Sequence, residues 1–230
     1  VDSSGKLEIL FEDNHCLAVF KPSRLLTASD KSGDISLYDL VVKYRTETAR
    51  EGTKGYIAPI HFLDRPVSGI VLYAKSSKAA SRISEQFRNR KIRKYYEAIV
   101  HGAVADRKVT LEDYLIKDKD TNITKVGRKN DYDAKICRLT RALKLRGKTL
   151  SWLEIEPETG RSHQIRVQLA HAGNPIYGDT KYGSKKSLNG QILLHAARLE
   201  FVHPVSKETI TVTSPVPELW NQIWDQDQNA

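Results

Sequence analysis

Apolar and polar residues alternate over Leu7, Ile9 and Phe11, a period of two that predicts a half-buried strand. Residues 16–20, Cys-Leu-Ala-Val-Phe, predict a second short strand beyond a turn at Asn14, and Lys21-Pro22 breaks it. The period then lengthens. Leu37, Leu40, Val41 and Tyr44 recur at helical spacing behind Ser36, with Asp39 placed for a first helical turn. Two apolar runs, 56–60 and 70–74, predict strands on either side of a Pro- and Gly-bounded loop, His61-Phe62-Leu63-Asp64-Arg65-Pro66-Val67-Ser68-Gly69. Residues 76–90 predict a helix with Ala79, Ile83 and Phe87 on one face and Lys78, Arg82, Arg88 and Arg90 on the other.

Beyond that helix the alternation over 95–100 aims Tyr95 and Tyr96 to opposite faces of a strand. Residues 117–131 are charged and without period, which predicts a long loop. Two strands, 134–145 and 149–156, meet at a hairpin around Arg146-Gly147, and 162–172 is a helix with Ile165, Leu169 and Ala172 inward and Gly173 as its stop. A second basic loop covers 180–191, strands follow at 192–202 and 209–213, and Leu219, Trp220, Ile223 and Trp224 predict a short closing helix before a polar tail. Strands and helices mix without a regular strand–helix–strand rhythm. That argues for an α+β fold with a mixed, largely antiparallel sheet. With no repeat and no linker, 1–230 is expected to be one domain.

Charge changes the picture. The 230 residues carry 37 Lys and Arg against 28 Asp and Glu, a net +9, which points to a polyanionic partner, nucleic acid or an anionic membrane surface. No apolar run is long enough to span a bilayer and no signal segment opens the chain. Cys16 and Cys137 are the two cysteines, without a C-x-x-C, so neither a disulfide framework nor a zinc site is indicated, and a reduced, cytoplasmic setting is expected. Residues 1–6 are expected to fray, and the lack of any Met leaves the true N-terminus in question.

An Asp beside an Arg in a loop between strands can hold a charged group near a ligand. Later segments supply the groups it would need: Lys94-Tyr95-Tyr96, Gly160-Arg161-Ser162-His163-Gln164-Ile165-Arg166, Gly173-Asn174-Pro175-Ile176-Tyr177-Gly178-Asp179, and Leu193-Leu194-His195-Ala196. Together with the Asp64 loop these resemble, in order and over about 7–217, the motifs of the RluA family of pseudouridine synthases, which isomerise uridine within folded tRNA or rRNA. The resemblance implies a long bent sheet flanked by helices and loops, with the catalytic cleft across its middle. Some members add an S4-type domain; this chain starts at the catalytic domain's first strand, so none is expected here, and a monomer is expected.

By the same resemblance Asp64 is the nucleophile, Arg166 orients it, Tyr96 holds the base, and Leu194 is the apolar contact beside the base. A guanidinium suits the second role because its planar fork both grips and stabilises a carboxylate. Tyr96 is assigned stacking and positioning first and proton transfer second, because an ordinary phenol is a weak base at neutral pH. His163 and Gln164 are expected to support or cap. Contacts to RNA fall to Phe62, Arg65, Lys94 and Arg161, with the basic loops near Lys125 and Lys185. The reaction is an isomerisation, so no cofactor or metal is expected.

Three departures stand out: Phe62 replaces the motif's Arg, Val67 its usual Thr or Ser, and Arg24 the Gly of K-P-x-G. The first two bear on RNA handling and target choice rather than on the nucleophile. The alternatives are a non-catalytic RNA-binding or assembly protein on the same fold, which need not keep Asp64, Tyr96 and Arg166 together, and a hydrolase using Asp64, for which no second catalytic carboxylate is apparent.

Overall fold

A computed structural model describes residues 7–49, 55–105, 107–118 and 120–229. The expected fraying of 1–6 lies outside the described residues. The elements run β1 (Ile9–Glu12), β2 (Cys16–Lys21), α1 (Leu37–Thr48), β3 (Ala58–Pro59), β4 (Ser68–Ala74), α2 (Ser77–Arg88), β5 (Arg93–His101) and β6 (Val109–Asp118). They continue with β7 (Ile123–Gly127), β8 (Lys135–Arg146), β9 (Leu150–Pro157), α3 (Gln164–His171), β10 (Leu194–Val202), β11 (Thr209–Thr213) and α4 (Leu219–Asn229). Among the described residues the fold is mixed, with four α-helices and strands that pair mostly antiparallel. It divides into two compact units, residues 1–94 with 196–215 and residues 95–195 with 216–230.

In the first unit β2 lies between β1 and β4, antiparallel to both, in a register that sets Cys16 opposite Ala74 and Lys21 opposite Gly69. All seven residues of β4 are buried. Its core joins Cys16 and Ala18 to Ile70 and Leu72, with Ala79 and Ile83 of α2 and Leu199 and Phe201 of β10 closing over them. α1 begins as its sequence requires: Ser36 accepts from the Asp39 N–H while the Asp39 carboxylate accepts from the Ser36 N–H, a reciprocal cap. Ser76 caps α2 in one direction only, its hydroxyl accepting the Ala79 N–H. The run 56–60 forms only the two-residue β3, since Pro59 has no N–H to extend a ladder.

In the second unit β9 lies between β5 and β8, β8 pairs β6, and β6 pairs β7, all antiparallel. Ile99, Leu150, Trp152 and Leu193 pack with Trp220 and Ile223 of α4. Two expectations fail here. The segment 117–131 is not one long loop: it takes in the end of β6 and all of β7, which pair as antiparallel strands. β7 ends the strand order, and of its residues Thr124 alone is fully buried. Such a strand shows little apolar alternation, because main-chain hydrogen bonds hold it. The polar tail is the last turns of α4, where Asp227 is buried and accepts from the N–H groups of Thr149 and Leu150.

Candidate active site

The loop after β3 carries Asp64 half-buried between Leu63 and Val67, whose side chains are buried and anchor it. Its backbone is pinned on both sides. Thr27 Oγ1 donates to Leu63 O at 2.7 Å and accepts from Leu63 N–H at 3.2 Å. Arg65 O accepts from Arg24 N–H at 2.8 Å and from Lys21 Nζ at 3.2 Å, and Asp64 O accepts from Val67 N–H at 3.0 Å. Gly69 follows at φ 122°, where a Cβ would collide with the main chain of Ala196, so the strand after the loop admits only glycine.

Lys21 is the residue that sequence reading passed over. It is fully buried at the end of β2, and its ammonium also donates to Pro22 O at 3.0 Å and Leu25 O at 2.7 Å. Burial pushes its pKa down to about 7, and the charge of Asp64 draws it partly back. The K-P dipeptide was the available signal, but it reads equally as a strand terminator. Arg24, which stands where K-P-x-G has glycine, takes the left-handed conformation at φ 73°, a cost of about 1–2 kcal/mol to a residue with a Cβ. Its N–H and C=O both engage Arg65, which offsets that strain.

Phe62 is 61% exposed, so it does not turn into the core. Arg65 is held locally: Nε donates to Arg24 O at 3.0 Å, and Nη2 pairs with Asp34 at 2.7 Å. Lys94 extends over the Phe87 ring with its amine 5.9 Å from the centroid, and burial lowers its pKa. His61 stacks on the other ring neighbour, Phe87, at 5.4 Å, and accepts the Leu72 N–H on Nε2. Burial, aided by Lys94, pushes its imidazole down to about 3, so it is neutral and structural. On the basic side of α2 Arg82 donates to Pro204 O and Arg88 is exposed, as are Arg90 and Lys91 just beyond the helix.

The second unit carries Tyr96, Arg161, Arg166 and Leu194. On β5 Tyr95 is buried and Tyr96 half-buried, the split that strand alternation requires. Gln164 organises the turn before α3: its Oε1 accepts from Thr159 Oγ1 and Arg161 N–H, and its Nε2 donates to Arg138 O. His163 stands at the N-cap in the left-handed region, with Nδ1 2.6 Å from the Tyr182 hydroxyl. Gln164 thus braces the turn, while the His163 ring holds Tyr182. Arg161 is exposed, whereas Leu194 is buried. Arg166 is 5% exposed and forks onto Asp179, a partner that sequence reading missed although it quoted the motif containing it.

Among the described residues Asp13, Cys16 and His203 bring ligand atoms within 4.8 Å of one another. His203 Nδ1 accepts from the N–H groups of Val205 and Ser206, and its Nε2 lies 2.7 Å from Asp13 Oδ2. The other Asp13 oxygen takes the N–H groups of His15 and Cys16, and burial pushes the Cys16 thiol up to about 12. Asp13 and His203 thus each accept main-chain N–H groups and brace the turns beside them. Both cysteines are free and buried, and no helix among the described residues is long and apolar enough to cross a membrane.

Residues 15–171 match the profile of the RNA pseudouridylate synthases. The tRNA pseudouridine synthase C of Haemophilus influenzae is 32% identical over 96% of this chain and 97% of its own length. An uncharacterised RNA pseudouridine synthase of Bacillus subtilis, YhcT, is 31% identical over 93% of this chain and 70% of its own. The solved structure of human RNA pseudouridylate synthase domain containing 1 superposes with a TM-score of 0.77 over 94% of this chain and 86% of its own, at 23% identity, and so shares the fold.

Proposed function

This chain belongs to the RNA pseudouridylate synthase family, and from that premise we propose that it isomerises uridine in structured RNA, tRNA before rRNA, with Asp64 as the nucleophile. The relatives named for tRNA support that order of substrates. The observation that carries the reading is the pinned Asp64 loop. Four protein hydrogen bonds fix the backbone of the residues flanking Asp64, while its side chain stays only half-buried. A carboxylate held in that way is suited to covalent attack, which divides one difficult step into two.

In the reaction the bond from uracil N1 to the ribose breaks, the base turns, and C5 takes the ribose in its place. The proton lost from C5 is balanced by the one gained at N1, so nothing is oxidised. Arg166 orients the Asp64 carboxylate, Tyr96 holds the base by its ring face, and Leu194 borders the base. Phe62, exposed two residues before the nucleophile, fills the gap left when the uridine is extruded from its stack. Arg65, Lys94, Arg161 and the exposed Arg88, Arg90 and Lys91 meet the RNA backbone. The enzyme works as a monomer in the cytoplasm.

Pseudouridine mapping of RNA incubated with the wild-type protein and with Asp64→Asn tests the reading. New pseudouridine is expected at defined tRNA positions with the wild type and none with Asp64→Asn, at an RNA affinity within a few-fold. Full turnover by carefully purified Asp64→Asn would sink it.

A further inference from the structure

Arg166 is oriented by its own unit. Nε donates to Oδ2 of Asp179 at 2.7 Å and Nη2 to Oδ1 at 2.8 Å, a fork-to-fork pair in which Arg166 is 5% and Asp179 1% exposed. The guanidinium carbon lies 5.0 Å from the centroid of the Tyr182 ring. Tyr182 is fixed in turn, its hydroxyl accepting from Thr124 N–H at 3.0 Å and lying 2.6 Å from His163 Nδ1. Asp179 cannot drift either: its N–H donates to Ile176 O, and its C=O accepts from the N–H groups of Tyr182 and Ser184. Gly178, at φ 89°, makes the turn that delivers it.

A guanidinium has two hydrogen-bonding edges beyond its stem, and rotation of a long side chain would leave their direction undefined. The carboxylate takes the Nε–Nη2 edge and the ring covers one face, so the Nη1 side is aimed in one direction. Stability alone is a weak reason for this arrangement, because desolvating two charges cancels most of what their attraction returns, and an apolar pair would pack as well. We propose that Asp179 is a positioning residue of the reaction: it sets the direction in which Arg166 presents its charge, with Tyr182 as the platform beneath. The inference rests on Arg166 acting on the Asp64 carboxylate as proposed above.

Single-turnover rates, RNA affinity and thermal melting of Arg166→Gln, Asp179→Asn and the double variant test it. Asp179→Asn is expected to slow turnover at least tenfold, with affinity within about twofold of wild type. Arg166→Gln slows it more, and adding Asp179→Asn to Arg166→Gln costs nothing further, because a residue that acts through another loses its effect when the other is gone. Rate losses that multiply in the double variant, or a wild-type rate for Asp179→Asn, would overturn the positioning role. A wild-type rate for Arg166→Gln would instead overturn the role given to Arg166 itself. If Asp179→Asn does not fold, Asp179→Glu takes its place, since it keeps the charge and moves the fork by one methylene. Slowed turnover at native melting temperature supports the proposal, and an unaltered rate defeats it.

Discussion

Lys21 and Arg166 are both buried cations, and the protein holds them in opposite ways. Lys21 gives its ammonium to three main-chain carbonyls, those of Pro22, Leu25 and Arg65, and its pKa falls to about 7. Arg166 gives two N–H groups to one carboxylate and a face to an aromatic ring. Neutral acceptors satisfy a donor's hydrogens but leave its charge uncompensated, whereas a carboxylate satisfies the hydrogens and offsets part of the cost of burying the charge. The lysine is therefore a tie between chain segments that stays useful when it loses its proton. The arginine is a permanent charge with a fixed direction, the property a group needs if it is to orient another.

That contrast predicts different responses to mutation. The largest effect on turnover is expected at Arg166, where Lys keeps the charge and loses the fork. Arg166→Lys should slow single-turnover pseudouridine formation by roughly 10- to 150-fold, the equivalent of losing one charged hydrogen bond of about 1.5–3 kcal/mol, with RNA affinity nearly unchanged. Equal rates would mean that charge alone matters there, and the comparison would break.

At Lys21 the main effect should be on stability. Lys21→Met leaves buried carbonyls without donors, a loss of about 1–3 kcal/mol, seen as a lower melting temperature. The pH dependence sharpens this. The folded pKa of about 7 lies below the ordinary 10.5, so between those values the unfolded chain binds the extra proton. The contribution of Lys21 is hence fully present above 10.5 and is lost as pH falls through 7. The gap in melting temperature between wild type and Lys21→Met should widen from pH 7 to 9.5. A constant gap would show that the buried amine is not depressed.

The smallest effect belongs to the exposed side of the same loop. Phe62→Ala should leave the melting temperature unchanged, because the ring is 61% exposed. It should reduce the 2-aminopurine signal of base flipping beside the target uridine by a few-fold, since base–aromatic stacking is worth roughly 1–3 kcal/mol. An unaltered flipping signal would remove Phe62 from the RNA contact.

Much of this was legible in the chain. Ser36 announced the start of α1 because a cap bonds within three residues of itself. The alternation over β5 separated buried Tyr95 from half-buried Tyr96 because strand side chains take opposite faces. The motifs around Asp64 and Arg166 placed the chain in its family. Other features left little trace. β7 was hidden because an edge strand needs few apolar residues, and the tail of α4 because Asp227, a polar residue, fixes it by accepting main-chain N–H groups 77 and 78 positions away.

The sequence by itself determined the elements that depend on near neighbours: caps, alternation, the helical stripe of α2 and the order of the motifs. Tertiary structure alone decided that Lys21 reaches across 44 positions to the carbonyl of Arg65, and that Asp179, 13 positions on, is the counter-charge of Arg166. The physical reason is range. A pattern of hydrophobicity records which face of an element is buried, but a hydrogen bond between distant residues exists only once the strands and turns between them have set the path of the chain.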